Sequence, residues 1–507
     1  MSRAFLISLA TALIFGAAFT SSVAGLPPQP VELVADLSAP RIRIPEDFLG
    51  LSFETCELLP DTNGKLQFAT DNQALRTLLQ TMGVKNLRFG GNATDAPNVL
   101  DPAMPGIDAM FQLARTIPAR VIYSVRFSRE GRLNGFVTAD AAAAAATCRH
   151  ILENYPDSLA ALAIGNEPDM YFKRLKDQYQ TVDVSLDKPA KDRRAYEQYR
   201  AAWKQFSAVI KTTNPTALFI GPGTTGNPVW AKWFGNDFVD DDRIAFIDNH
   251  WYPGGNGKQG EPAPKLQAAL SPDWHKLYAA YLADNGFPEP GRRPFRITES
   301  NSYYNGGAPD MSDTMASALW ALDYGHWFAA HGCAGINFHT CTHVKYMVDV
   351  EMTFNYASFV ASPGGYTLRP IGYGLTLLGM GCQGDSIPLS VTSGGGNVSA
   401  YAVVGRDGNL YFTLINKEYD ASARPALVRF NLKGGHFKGS GESLALVAPD
   451  SNVRAQSGVT LNGMPVGENG SWTGKWTVVT ADHFGTDGVF SIVVPPASAL
   501  LLRLPLM

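Results

Sequence analysis

Eight strand-like apolar runs, most of them followed by a helical pattern, predict a (β/α)8 TIM barrel over residues 46–381. Beyond residue 380 the helical periodicity stops. Short alternating runs separated by turn clusters such as Gly394-Gly395-Gly396 and Asp407-Gly408-Asn409 take its place, and they predict a C-terminal antiparallel β-sandwich. The alternating stretch 31–44, broken by Pro40, is expected to add strands to that sandwich, giving one β domain from 28–45 and 382–507. No glycine-rich dinucleotide fingerprint follows the first strand, which weighs against an open doubly wound sheet.

Each barrel element follows from its residues. The first strand is read at 48–53, ending in Glu54, and the second at 84–89, running into Gly90-Gly91-Asn92. The third is 119–127, followed by an alanine-rich helix at 138–154 with Thr138 or Asp140 as N-cap. The fourth strand, 160–166, precedes a helix at 192–212. The fifth and sixth strands are 217–221 and 244–251, and a helix near 274–285 leads to the seventh at 294–298. A helix at 312–331 leads to the eighth at 335–339; a long loop, 340–366, then precedes a last helix near 370–380. The β domain is read as runs at 386–391, 398–404, 410–415, 426–432, 443–447, 476–480 and 489–504.

Composition narrows the function classes. Of 507 residues 45% are hydrophobic, enough for a large core, while only 17% are charged and the net charge is −4. No basic run is present, so nucleic acid is not an expected partner. Residues 1–24 read as a signal peptide: Arg3, an apolar core over 4–19, and the small-residue site Ser22-Val23-Ala24. The apolar part is short for a span of about 20 residues, so the chain is expected to be exported, periplasmic or extracellular, with no membrane partner after cleavage. The five cysteines, Cys56, Cys148, Cys333, Cys341 and Cys382, match no zinc spacing. They read as buried small hydrophobes with at most one bridge, for which Cys333 and Cys341 flank the eighth strand. No metal or cofactor is expected.

The chemistry lies at strand ends. The apolar run Ala161-Leu162-Ala163-Ile164 stops at Gly165-Asn166-Glu167-Pro168, and Arg296-Ile297-Thr298 stops at Glu299-Ser300. Burying a carboxylate at such a place is costly unless something pairs or uses it. In a barrel the strand ends converge on one cleft, which also collects Glu54, Asn92, His250, Tyr252 and His339. Two carboxylates facing one cleft match glycoside hydrolysis, in which one protonates the leaving oxygen and the other attacks or activates water. Read singly, the bland alternative for each glutamate is a structural ion pair at a strand end, and a lone histidine such as His250 is more often a satisfied core residue.

The stretches Leu87-Arg88-Phe89-Gly90-Gly91, Gly165-Asn166-Glu167-Pro168, His250-Trp251-Tyr252 and the run from Glu299 through Tyr304-Asn305-Gly306-Gly307 to Pro309 carry a resemblance. The chain resembles glycoside hydrolase family 79, the family of β-glucuronidases and heparanase, within the clan of retaining (β/α)8 glycosidases. The resemblance implies Glu167 as acid/base and Glu299 as nucleophile. It implies that Tyr304 and Tyr346 bond a uronic carboxylate, and that Glu54, Asn166, Tyr252 and His339 meet sugar hydroxyls. Asn305 stands where heparanase-like members have glycine, which favours exo-acting β-glucuronidase over heparanase-type cleavage. The expected partner is a carbohydrate bearing terminal glucuronic acid. Two other classes stay open. One is another clan glycosidase, such as a β-xylosidase, arabinofuranosidase or β-glucosidase; the other is a non-catalytic carbohydrate-binding protein.

Overall fold

The computed structural model describes residues 26–128, 141–170, 188–287, 291–347, 351–437, 439–480 and 490–506. The expected signal segment and the N-cap of the alanine-rich helix lie outside them. Eight parallel strands close into a barrel: Leu49–Glu54, Asn86–Gly90, Arg120–Val125, Leu159–Ile164, Phe219–Thr224, Ile244–Trp251, Phe295–Ser300 and Ile336–His339. Every residue of the first, second, seventh and eighth of these is buried. Burial on both faces is why these strands read as continuous apolar runs rather than as alternation. Their bounds fall within three residues of the expected ones.

Four barrel helices were not set apart in the sequence: Gln73–Thr81, Met104–Thr116, Pro228–Asp237 and Pro262–Leu270. Three of them carry proline in the first turn, where its missing N–H costs nothing. The expected loop 340–366 is also corrected. It contains two hairpins, Lys345–Met347 with Glu351–Thr353 and Phe359–Ser362 with Gly365–Leu368.

The C-terminal part is two sheets, one of eight strands and one of four. Two runs read as single strands are pairs that change sheet at proline. Pro388 separates Gly384–Ile387 in the larger sheet from Leu389–Thr392 in the smaller. Pro495 and Pro496 separate Phe490–Val494 from Ser498–Pro505 in the same way. Proline cannot donate to a ladder, so a strand that crosses between sheets is where it fits. The N-terminal strand Gln29–Asp36 runs antiparallel to Leu389–Thr392 but parallel to Ala426–Lys433, so the sandwich is not wholly antiparallel. Ile42–Arg43 joins the larger sheet beside Gly384–Ile387. All five cysteines are buried, and Cys333 and Cys341 form no bridge.

The helix Met315–Ala330 is buried along almost its whole length, which fits its lack of a polar face. One side meets the barrel, where the Tyr324 hydroxyl lies 2.8 Å from Ser300 Oγ. The other side meets the β sheets. There the Asp323 carboxylate accepts from Lys417 Nζ at 2.7 Å, from Tyr401 at 2.6 Å, and pairs with His275 at 3.0 Å. The first turn of the helix donates Met315 N to Ala455 O and Ala316 N to Val453 O, both at 2.9 Å, so a β-domain loop serves as its cap. Burial alone would raise the Asp323 carboxyl, but Lys417 and His275 more than offset it and hold it far below the usual range.

Asp323→Ala is expected to cost about 3–5 kcal/mol, because it leaves the buried Lys417 ammonium unpaired. Asp323→Leu combined with Lys417→Met should cost less than Asp323→Ala alone. Denaturant unfolding at pH 7 checks both. The stabilisation from Asp323 is present above about pH 4 and is lost as the pH falls further, since its folded carboxyl is depressed below the unfolded one.

Candidate active site

Glu167 stands just past the strand Leu159–Ile164 on a sharp turn. Gly165 has φ 76° and Glu167 itself has φ 49°, a left-handed backbone that non-glycine residues rarely adopt. Such a residue costs about 1–3 kcal/mol and persists only when its surroundings hold it. Here Glu167 N donates to Gly223 O at 3.0 Å and Asn166 N to Asp95 Oδ2 at 3.0 Å. The other Asp95 oxygen accepts Phe127 N and Ser128 N at 2.8 and 2.9 Å, tying the ends of two neighbouring barrel strands together.

Glu299 lies across the barrel mouth on Phe295–Ser300 and is buried. Its Oε2 accepts from Arg88 at 2.5 Å and its Oε1 from the Tyr252 hydroxyl at 2.8 Å. Burial by itself would raise this carboxyl, but His339, His250, Arg88 and the Tyr252 hydroxyl together hold it well below the usual carboxylate range. These neighbours favour the ionised form of Glu299. His250 Nδ1 lies 3.1 Å from Glu167 Oε1 and 3.8 Å from Glu299 Oε2. Oxygens of the two glutamates and a ring nitrogen of His250 all lie within 4.8 Å of one another. That spacing would also suit a cation. The Arg88 guanidinium already binds Glu299 Oε2 and sits 3.3 Å from His250 Nε2, so a positive charge is already built into this group.

Arg88 is the residue that sequence reasoning missed. Besides Glu299 it donates to Ser52 Oγ at 3.0 Å and to Asn166 Oδ1 at 2.7 Å, so its fork spans three strands. The signal was available: a cation inside the apolar run Leu87-Arg88-Phe89 is as costly to bury as Glu167. The two glycines that follow make room for it. A Cβ on Gly90 would lie 2.5 Å from the Arg88 guanidinium, and one on Gly91, at φ 71°, would lie 2.2 Å from the Glu54 carboxylate. Glu54 is buried and accepts Ala93 N at 2.8 Å. His339 lies 3.5 Å from Glu54 and 3.1 Å from Ser52 Oγ. Burial disfavours a charge on His339, but Glu299 and Glu54 outweigh it and raise its pKa.

Asn166 is buried, and its Nδ2 has no hydrogen-bond partner among the described residues. Tyr304 sits at the rim, 43% exposed, with its ring centroid 6.4 Å from that of Tyr252. Its backbone is fixed by Tyr304 N to Gly255 O at 2.9 Å. Asn305 has φ 61°, and asparagine is among the few residues that tolerate this conformation. Gly306 follows at φ 83°, where a Cβ would lie 2.0 Å from Thr353 O. Tyr346 pairs with Met352 in the first hairpin after the barrel; its side chain lies outside the described ones. Asn92 opens the short turn Asn92–Asp95. The structure thus brings Glu54, Asn166, Glu167, Tyr252, Glu299 and His339 to one end of the barrel, with Tyr304 at its edge.

Comparison with known proteins bears on the family and the fold. Residues 400–501 match the family model described as the glycosyl hydrolase family 79 C-terminal beta domain. Over 406 residues the chain is 25% identical to a beta-glucuronidase of Aspergillus niger, covering 68% of this chain and 67% of that one. A beta-glucuronidase of Neurospora crassa is 26% identical over 337 residues, covering 60% of this chain and 54% of the relative. Among solved structures, a 4-O-α-L-rhamnosyl-β-D-glucuronidase from Fusarium oxysporum 12S has a TM-score of 0.64 at 17% identity, covering 93% of this chain and 99% of its own. The GH51 arabinofuranosidase from Xanthomonas axonopodis pv. citri has a TM-score of 0.63 at 14% identity, covering 94% and 100%. At such identities the likeness is one of fold, and the fold alone does not choose the sugar.

Arg88→Lys is expected to lower kcat about 10²–10³-fold on a hydrolysable glycoside while the protein stays folded. A lysine keeps the charge but cannot fork to Glu299, Ser52 and Asn166 at once. Steady-state kinetics with circular dichroism checks it.

Proposed function

We propose that this chain, which belongs to glycoside hydrolase family 79, is a retaining, exo-acting β-glucuronidase that works through Glu167 and Glu299. That it is a glycoside hydrolase rests on the family match and the curated relatives. The observation that carries the mechanism is the carboxylate pair, with oxygens within 4.8 Å of each other and one member clamped as an anion. Retaining enzymes hold their carboxyl groups about 5–5.5 Å apart, whereas inverting ones leave room for a water at about 6.5–9.5 Å.

In the first step Glu299 attacks the anomeric carbon as the glycosidic bond breaks, and Glu167 gives its proton to the departing oxygen. A glycosyl ester on Glu299 results. In the second step Glu167 takes a proton from water, the water oxygen bonds to the anomeric carbon, and the ester bond to Glu299 breaks. Arg88 and the Tyr252 hydroxyl keep the attacking carboxylate ionised and aimed. The unpartnered Asn166 Nδ2 is a donor positioned beside the reacting carboxylates for a sugar hydroxyl. Glu54 and His339, which pair with each other, offer further contacts on the sugar.

The glucuronic acid assignment rests on the names of the two relatives and on the rim tyrosine. No hydrogen bond from the Tyr304 hydroxyl is found among the described residues, and the ring is exposed at the cleft edge. It is the group we assign to the uronic carboxylate, together with Tyr346. Export through the 1–24 segment fits a glycan substrate outside the cell.

Two outcomes test the reading. Proton NMR of early hydrolysis of an aryl β-glucuronide should show the β anomer of glucuronic acid first; α first would sink the retaining assignment. Tyr304→Phe should slow β-glucuronide turnover by roughly ten- to a hundredfold, as loss of one hydrogen bond to a charged group implies, and leave residual β-glucoside turnover nearly unchanged. Equal loss on both substrates would make Tyr304 structural.

A further inference from the structure

Glu57 is a buried carboxyl that the mechanism does not use. It lies in the turn Thr55–Leu58, directly after the first barrel strand. It is 3% exposed. Its Oε2 accepts a long hydrogen bond from Thr342 N at 3.3 Å, the Thr342 hydroxyl also acts on the carboxyl, and its Oε1 has no partner among the described residues. Two residues near it, Cys56 and Cys341, belong to a buried apolar cluster with Ala93, Phe354, Tyr356 and Ala357. No cation is paired with it among the described residues. The titratable groups that face it are Glu54, His339, Cys341 and Tyr366, with Arg369 farther off beside Cys341. Burial raises the Glu57 carboxyl to about 8, and the neighbouring Glu54 charge adds to this, against the Thr342 hydrogen bonds and His339, which pull it down.

The Glu57 contact reaches the sugar cleft through backbone hydrogen bonds. Thr342 O accepts Ala361 N at 2.8 Å, at the start of the second hairpin. Two residues on, Val344 O accepts Phe354 N at 2.6 Å, and the next N–H, Asn355, donates to Gly306 O at 2.6 Å. Gly306 is two residues beyond Tyr304 in the turn at the cleft edge. The anchor at Thr342 therefore supports the segment that holds the Tyr304 turn and carries Tyr346.

We propose that Glu57 is a positioning residue, a neutral carboxylic acid that holds Thr342 and the chain beyond it against the first strand, and that loss of its proton in alkaline solution loosens the uronate side of the cleft. The proton goes to solvent. Among the described residues the anion left behind has donors from Thr342 alone, its backbone N–H and its hydroxyl, with the Glu54 carboxylate nearby and no cation paired with it, so it is driven toward water. The same anion adds negative charge beside a site that must admit a negatively charged sugar. The effect is thus on binding rather than on the bond-breaking step. This inference rests on the β-glucuronidase reading for its kinetic arm only.

The test compares wild type with Glu57→Gln, which keeps the shape of the neutral acid and cannot ionise. KM and kcat are measured on an aryl β-glucuronide from pH 6 to 9. Wild-type KM should rise at least fivefold above pH 8 with a smaller change in kcat, whereas the KM of Glu57→Gln should stay within twofold of its pH 6 value. The second arm needs no activity. A folded-state carboxyl raised from about 4.5 makes the native state hold a proton that the unfolded chain has lost, so wild type loses stability from about pH 5 to pH 8 and none further above that. The melting temperature of Glu57→Gln should therefore pull ahead of wild type by several degrees across that window. If Glu57→Gln does not fold, Glu57→Met, also uncharged and of similar length, takes its place in both arms. An equal KM rise in both proteins, no rise in either, or parallel melting curves overturns the proposal. Absence of β-glucuronide turnover at every pH would sink the function reading instead and leave the melting arm to decide on Glu57.

Discussion

The interaction on which the site depends is the buried fork of Arg88. Two carboxylates with oxygens within 4.8 Å of each other repel when both are ionised, and left to themselves would share one proton. A double-displacement mechanism needs the opposite of sharing: a nucleophile always ionised and an acid that carries the proton. Arg88 breaks the symmetry by placing its charge 2.5 Å from Glu299 and not from Glu167. Glu167 instead faces the imidazole of His250 at 3.1 Å. The fork is expensive to bury, and the barrel accommodates it by giving up side chains at Gly90 and Gly91 and by supplying Ser52 and Asn166 as further acceptors.

Holding Glu299 in place also falls to parts of the chain far from the cleft. Its strand ends at Ser300, whose hydroxyl touches Tyr324 on the buried helix Met315–Ala330. That helix is capped by carbonyls of the β domain and pinned by the Asp323–Lys417 pair. A helix apolar on nearly every face needs cover on nearly every face, and the β sheets provide what solvent would otherwise have to. The β domain is in this sense part of the barrel's own packing rather than an appendage.

What was legible in the sequence was what burial writes into it. Barrel strands covered on both faces leave continuous apolar runs, and a carboxylate that ends such a run stands out, as Glu167 and Glu299 do. Helices that begin at proline were hidden because the same residue also ends elements, and only the surrounding packing tells the two apart. Strands that change sheet at Pro388 and at Pro495-Pro496 read as single runs because the alternation continues through the change. The parallel pairing of the N-terminal strand with Ala426–Lys433 leaves no local trace, since pairing direction is a property of the partner. Arg88 was legible by the rule that found the glutamates and was passed over because it lies inside a run rather than at its end. His250 read as a core histidine, and it is as buried as one; its two ring nitrogens are committed to Glu167 and Arg88.

The placement of Tyr304 fits the electrostatics of an anionic substrate. The interior of the cleft already holds the carboxylates of Glu54, Glu167 and Glu299, against Arg88 and the histidines His250 and His339. A uronic acid brings one more negative charge, and a buried cation dedicated to it would have to be desolvated in the empty site. The hydroxyl of a half-exposed rim tyrosine avoids that cost. It can donate to the substrate carboxylate while water still reaches the other lone pairs, so the anion is never fully stripped. On the proposed reading, recognition of the acid is then a matter of the cleft edge, and the chemistry a matter of the buried fork below it. The two can be altered separately, because the turn that carries Tyr304 is braced by Gly306 and Asn355, whereas the fork is braced by Gly90, Ser52 and Asn166.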